Sequence, residues 1–98
     1  MIRHILFVRF KSDASLQSIE AVRAAFQAMP NKLDGIAKVE WGANNSPENK
    51  NRGFTHCIQM TFADESARDN YLPHPEHDAL KEIFGAILED ITVLDYSV

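Results

Sequence analysis

Two stretches of this chain, IRHILFVRF (2–10) and FTHCIQMTF (54–62), alternate bulky apolar residues with mixed ones. Side chains along a strand point to opposite faces in turn, so each stretch has two distinct sides. The even row of the first is Ile2, His4, Leu6, Val8 and Phe10. The even row of the second is Phe54, His56, Ile58, Met60 and Phe62. A chain with two such segments must build a sheet, and their more apolar rows must be covered.

The segments between and after them supply the cover. SDASLQSIEAVRAAFQAMP sets Leu16, Ile19, Val22, Phe26 and Met29 at helical spacing. Ser15 or Asp13 can cap that helix, and Pro30 is expected to end it. GIAKVEWGA reads as a strand over 36–43, and NNSPENKNRG as a polar, turn-rich loop. ADESARDNYL predicts a short helix capped by Asp64 or Ser66 and broken by Pro73 and Pro75. EHDALKEIFGAILED predicts another, with His77, Leu80, Phe84 and Ile87 on one stripe, and ITVLDYSV a last strand. The order is β-α-β-β-α-β, with the second helical region split. That is the ferredoxin-like α+β pattern, a four-stranded antiparallel sheet with helices on one face. With no repeat, low-complexity run or dividing linker, residues 1–98 read as one domain.

The net charge of −4 and a pI near 5.4 argue against a nucleic-acid partner, which needs clustered Lys and Arg. Cys57 is the single cysteine, so no intrachain disulfide forms and a reducing, cytoplasmic setting is expected. The apolar run in MIRHILFVRF is too short and too interrupted for a membrane span, and no membrane partner is expected.

The face away from the helices carries Arg3, Ile5, Phe7, Arg9, Thr55, Cys57, Gln59 and Thr61, joined by Lys38 and Glu40 if the second strand keeps phase. Burying Ile5 and Phe7 is worth roughly 1.5–3 kcal/mol each, a large term for a small domain. A second copy packed sheet to sheet would cover them, so a homodimer is expected.

The helix-covered rows hold His4 and His56, and the split helical region holding Tyr71, His74 and His77 must cross the same face. Polar rings from three elements thus aim into an apolar layer of Leu6, Val8, Phe26, Val39, Ile58 and Phe84, the pattern of a small-molecule site. Imidazole exchanges protons near neutral pH, and a phenol can donate to a carbonyl or enolate. His77 is the candidate general base and Tyr71 the carbonyl donor. His4 and His56 are candidates for orienting the ligand. The plain alternatives are core histidines bonded to backbone, a tyrosine tucked under the proline loop, and a His74–His77 segment that merely starts a helix, with His74 in the exposed loop. His74 and His77 alone are too few for a zinc site, so no metal is assigned. No phosphate-binding glycine loop occurs among Gly35, Gly42, Gly53 and Gly85, and no cofactor is expected. Cys57, on a strand row, reads as an inert thiol.

HILFVRFK, GIAKVEWGANNSPE, GFTHCIQMTF, ARDNYLPHPEH and VLDYSV together resemble the stress-responsive dimeric α/β-barrel (Dabb) domain. The resemblance runs from His4 to Val98 and implies a ferredoxin-like fold whose two copies form a homodimeric barrel. A plant polyketide-cyclase branch is similar, and it implies a Tyr and a His at the places of Tyr71 and His77, with pocket histidines at those of His4 and His56. The first helix departs from that branch. Arg23 and Gln27 stand with Val22 and Phe26 where it lines a tunnel, and they are expected to shrink or polarise the cavity, which disfavours a long alkyl polyketide. Two functions stay open: a dimeric stress-linked protein that binds a small molecule, such as a small apolar carbonyl compound, or acts through stability and association without turnover, and a cofactor-free acid–base enzyme of cyclase, isomerase or lyase type.

Overall fold

The computed structural model describes every residue from Met1 to Val98. The elements are β1 (Ile2–Phe10), α1 (Leu16–Lys32), β2 (Ile36–Ala43), β3 (His56–Phe62), α2 (Glu65–Tyr71), α3 (Pro75–Ile87) and β4 (Leu88–Ser97). The sheet order is β2-β3-β1-β4, every neighbouring pair antiparallel, so the first and third strands are central and the second and fourth are edges. This is the ferredoxin-like arrangement that the alternation predicts.

The even rows of β1 and β3 do turn under the helices, except for Phe54, which precedes β3 and stands against Phe7 of the opposite face with ring centroids 6.5 Å apart. Leu6 pairs with Ile58, His4 with Met60 and Ile2 with Phe62. Val22, Phe26 and Met29 of α1 and Leu80 and Phe84 of α3 close over them to form one core. In β2 a bulge absorbs Ala37, after which Val39 and Trp41 face the helices while Lys38 and Glu40 face away. Three side-chain caps start the helices. Ser15 accepts from the Ser18 amide, Asp64 from the Ala67 amide, and His74 Nδ1 from the Glu76 amide.

Four boundaries differ from expectation, the first being that of β3, which starts at His56 and not at residue 54. Pro30 lies inside α1, which continues to Lys32. In the last turn the missing proline N–H costs a single helical bond, and the Leu33 amide closes the end on the Met29 carbonyl. The third helix stops at Ile87, and Leu88 already pairs with Phe10. Glu89 and Asp90 would have put negative charge at a helix C-terminus, where the dipole disfavours it, whereas the strand pairs Asp90 with Arg9 and takes Glu89 up in a bulge. His74 is no loop residue but the half-buried N-cap of α3, with Pro75 in the first turn. The turn into β2 depends on Gly35, whose φ of +89° and close approach to Ala67 leave no room for a side chain.

The face away from the helices is open. Phe7, Leu94 and Tyr96 are exposed on it and Ile5 is half-buried. Arg3 reaches across to donate to the Thr61 hydroxyl at 3.0 Å. No helix is long and apolar enough to cross a membrane.

Candidate functional site

Between α3 and the β1–β4 half of the sheet lies a cavity of about 430 Å³. Its apolar wall comes from four elements, including Leu6 of β1, Phe26 of α1, Leu80 and Phe84 of α3, and Val93 of β4. His4, Tyr71, His77 and Lys81 are its polar members.

The proline segment explains how two of these rings meet. The second helix ends at Tyr71, and the His74 amide returns a hydrogen bond to the Tyr71 carbonyl at 3.0 Å. Pro75 then starts α3 within one tight reversal, so His77 lies back against Tyr71 with ring centroids 4.3 Å apart. His77 Nδ1–H donates to the Leu72 carbonyl at 2.7 Å. That bond fixes the tautomer and leaves Nε2 as a lone pair. Burial lowers the His77 pKa below the ordinary imidazole value, the Leu72 bond works against this, and the charges of Lys81 and His4 add to the lowering. At neutral pH His77 is therefore an unprotonated base.

Tyr71 is buried, only 3% exposed, and burial pushes its phenol well above the usual value. Its hydroxyl stays protonated and is not sealed into the protein. Tyr71 lines the cavity, and its phenol is able to donate. The His4 ring stands edge-on to Tyr71 at 6.4 Å and to Phe62 at 6.0 Å.

His4 has a partner that the sequence reading missed. Asp95 lies directly across the β1–β4 ladder, and its Oδ1 is 2.7 Å from His4 Nδ1. Asp95 Oδ2 in turn accepts from Arg68 Nη1 at 3.0 Å. The carboxylate thereby holds the imidazole with Nε2 free and ties the sheet to α2 one turn before Tyr71. Asp95, Val93 and Ile91 share a row at strand spacing, yet only the β4–β1 register shows that this row meets His4.

The expected residues divide into two groups. Tyr71, His77, His4, Leu6, Phe26 and Phe84 come together on the cavity wall. His56, Val8, Ile58 and Val39 do not. His56 pairs with Val8, four residues along β1 from His4, or roughly 13 Å at strand rise. It stacks edge-on with Phe10 at 5.2 Å and bonds the Thr55 hydroxyl through Nδ1 at 2.8 Å. Burial, then the charge of Arg23, lowers its pKa. Val8 and Ile58 are fully buried in the core, and Val39 is half-buried beside Trp41. Arg23 and Gln27 are also off the wall. Arg23 lies toward Glu20, and Gln27 lines a shallow groove with Val39 and Glu40, so neither polarises the cavity. Burial, then the charge of Glu40, pushes the Cys57 thiol up. No three His, Cys, Asp or Glu side chains converge as a metal cluster.

The profile described as Stress responsive A/B Barrel Domain matches residues 2–98. The chain belongs to that family. Among its relatives is the stress-response A/B barrel domain-containing protein HS1 of Arabidopsis thaliana, 30% identical over 97% of this chain and 87% of that protein. Olivetolic acid cyclase of Cannabis sativa is 23% identical over 98% of this chain and 95% of its own. Among solved structures, the hydroxynitrile lyase of Passiflora edulis superposes with a TM-score of 0.92 at 29% identity, covering 99% of this chain and 92% of the lyase. A dimeric ferredoxin-like protein from a Jannaschia species superposes with a TM-score of 0.87 at 23% identity, covering 99% and 98%, and shows the shared fold. The relatives and structural neighbours of this chain thus include proteins named as a cyclase, as a lyase and as a dimeric ferredoxin-like protein.

Proposed function

We propose that this domain works as a homodimer whose cavity takes a small, largely apolar carbonyl compound and moves a proton on it without a cofactor. The observation that carries the reading is the pairing of an unprotonated His77, locked to the Leu72 carbonyl, with a buried Tyr71 donor 4.3 Å away, ring to ring, over an apolar cavity. In this reading His77 Nε2 removes the proton beside the carbonyl and becomes an imidazolium. The Tyr71 O–H donates to the carbonyl oxygen as it gains enolate charge. His4, held by Asp95, orients the substrate through Nε2. The cyclase and lyase among the relatives support acid–base chemistry on this scaffold.

The dimer rests on the open face. Phe7, Leu94 and Tyr96 form an exposed apolar group on and beside an edge strand, and dimeric relatives share the fold. A cytoplasmic single-domain protein is the setting that fits this reading.

The test is deuterium exchange beside the carbonyl of a methyl ketone in D₂O, followed by NMR. The protein is expected to exceed free imidazole at equal concentration, and His77→Ala to lose about 10²–10⁴-fold. Exchange no faster than imidazole, or unchanged in His77→Ala, would leave a binder without turnover.

A further inference from the structure

The cavity's ionisable lining has one sign. Lys81 is its charged group, Tyr71 offers a proton, His4 is paired with Asp95 behind it, and no carboxylate is itself a lining residue. Lys81 follows His77 by one helical turn and Gly85 follows by another, so the three make one row along α3. The Lys81 ammonium is exposed at one side of the cavity, with Asp78 3.3 Å away as its partner on the same helix. A lysine among leucines, phenylalanine and valine is an unexpected member of an apolar wall, and its stem can lie along that wall while the ammonium reaches water.

Gly85 is the second observation. A glycine inside a helix costs about 1 kcal/mol against alanine. Nothing in the fold compels it here, since a Cβ at this position would meet no atom within 4 Å. The empty position instead enlarges the cavity beyond Lys81.

We infer that the cavity's ligand is an amphipathic anion, a carboxylate or a similarly charged acid with an alkyl or aryl body, whose charge pairs with Lys81 while its apolar part lies over Gly85 toward Leu88 and Ile91. This rests on the proposed function for the location of the site and adds the charge and shape of what enters it.

Octanoate and heptyl methyl ketone share one alkyl chain and differ in charge. Binding of each to the full chain is read from amide and histidine resonances in NMR titrations. Octanoate is expected to bind about fivefold more tightly than the ketone, the factor that a partly solvated ion pair near 1 kcal/mol supplies. Lys81→Met should erase the preference, and Lys81→Arg should keep it. Gly85→Leu should weaken both ligands by closing the space. Equal affinities in the wild type, a preference that survives Lys81→Met, or no binding of octanoate overturns the inference. Ketone exchange that depends on His77 would still stand in each of those cases, so the failure of this inference is distinct from that of the underlying reading.

Discussion

Asp95 sits across the ladder from His4 with a carboxylate oxygen 2.7 Å from Nδ1, and the same carboxylate holds Arg68 of the helix that ends in Tyr71. One side chain on an edge strand thus sets the tautomer of one cavity ring and steadies the helix that delivers another. In Asp95→Ala the buried His4 donor loses its acceptor, at a cost of about 1–3 kcal/mol. Urea denaturation should show that loss. Asp95→Asn retains an acceptor oxygen and should recover part of it. The ¹⁵N shifts of His4 should change tautomer balance in the alanine variant alone, a signature that simple loosening would not give.

His56 lies in a different part of the sheet from Tyr71 and His77. His56→Gln is therefore expected to leave the His77 titration, and any ketone exchange, within about twofold of wild type, as for independent sites. Its effect should appear in stability, because the ring packs on Phe10 and Trp41. A large loss of exchange would bring His56 back into the site.

Burial lowers the pKa of both His77 and His56, so protonating either costs the folded state more than the unfolded chain. The unfolded state binds more protons in that window, and stability rises with pH through it. Thermal stability should hold above pH ~7 and begin to fall near the free-imidazole value of about 6.5. The fall should continue until the lowered folded-state values are passed. His77→Gln and His56→Gln should each flatten the slope, and the double variant should flatten it most. A melting temperature constant between pH ~7.5 and ~5 would contradict this.

Leu94 projects from the open face beside Ile5, its partner across the ladder. Leu94→Lys puts a charge where a second copy is expected to pack, and a buried unpaired charge is strongly unfavourable. Sedimentation should show a dimer for wild type and a shift toward monomer for the variant. A wild-type monomer at micromolar concentration would contradict the dimer. The histidine resonances serve as a check that the variant still folds.

Gly85→Ala should raise stability by about 0.5–1 kcal/mol, since the helix gains a better former and the new methyl meets nothing. A destabilised variant would mean that something other than the cavity demands glycine there.

Much of this was legible in the sequence because alternation and helical spacing are local signals. The rows of Leu6 and Ile58 turn inward as their period requires, and Ser15 and Asp64 cap the helices expected of them. Alternation gives a side chain's face but not its distance along the strand. His56 therefore shares a face with His4 without sharing its cavity. Boundaries failed where two periods overlap: Leu88 fits both the stripe of α3 and the first position of β4, and pairing with Phe10 decides it. Asp95 was hidden because its importance lies in a partner 91 residues away. Arg23 and Gln27 were placed on the cavity wall by resemblance to a relative's tunnel, whereas in this chain α1 presents Phe26 there instead.

The central claim is that His77 is an unprotonated, tautomer-locked base beside Tyr71, and ¹⁵N NMR of the histidine side chains across pH measures it most directly. The expected result is a His77 that titrates below the free-imidazole value and carries its proton on Nδ1, with both features retained in Tyr71→Phe because they arise from burial and the Leu72 carbonyl. A His77 that titrates like free imidazole and exchanges between tautomers would contradict the account.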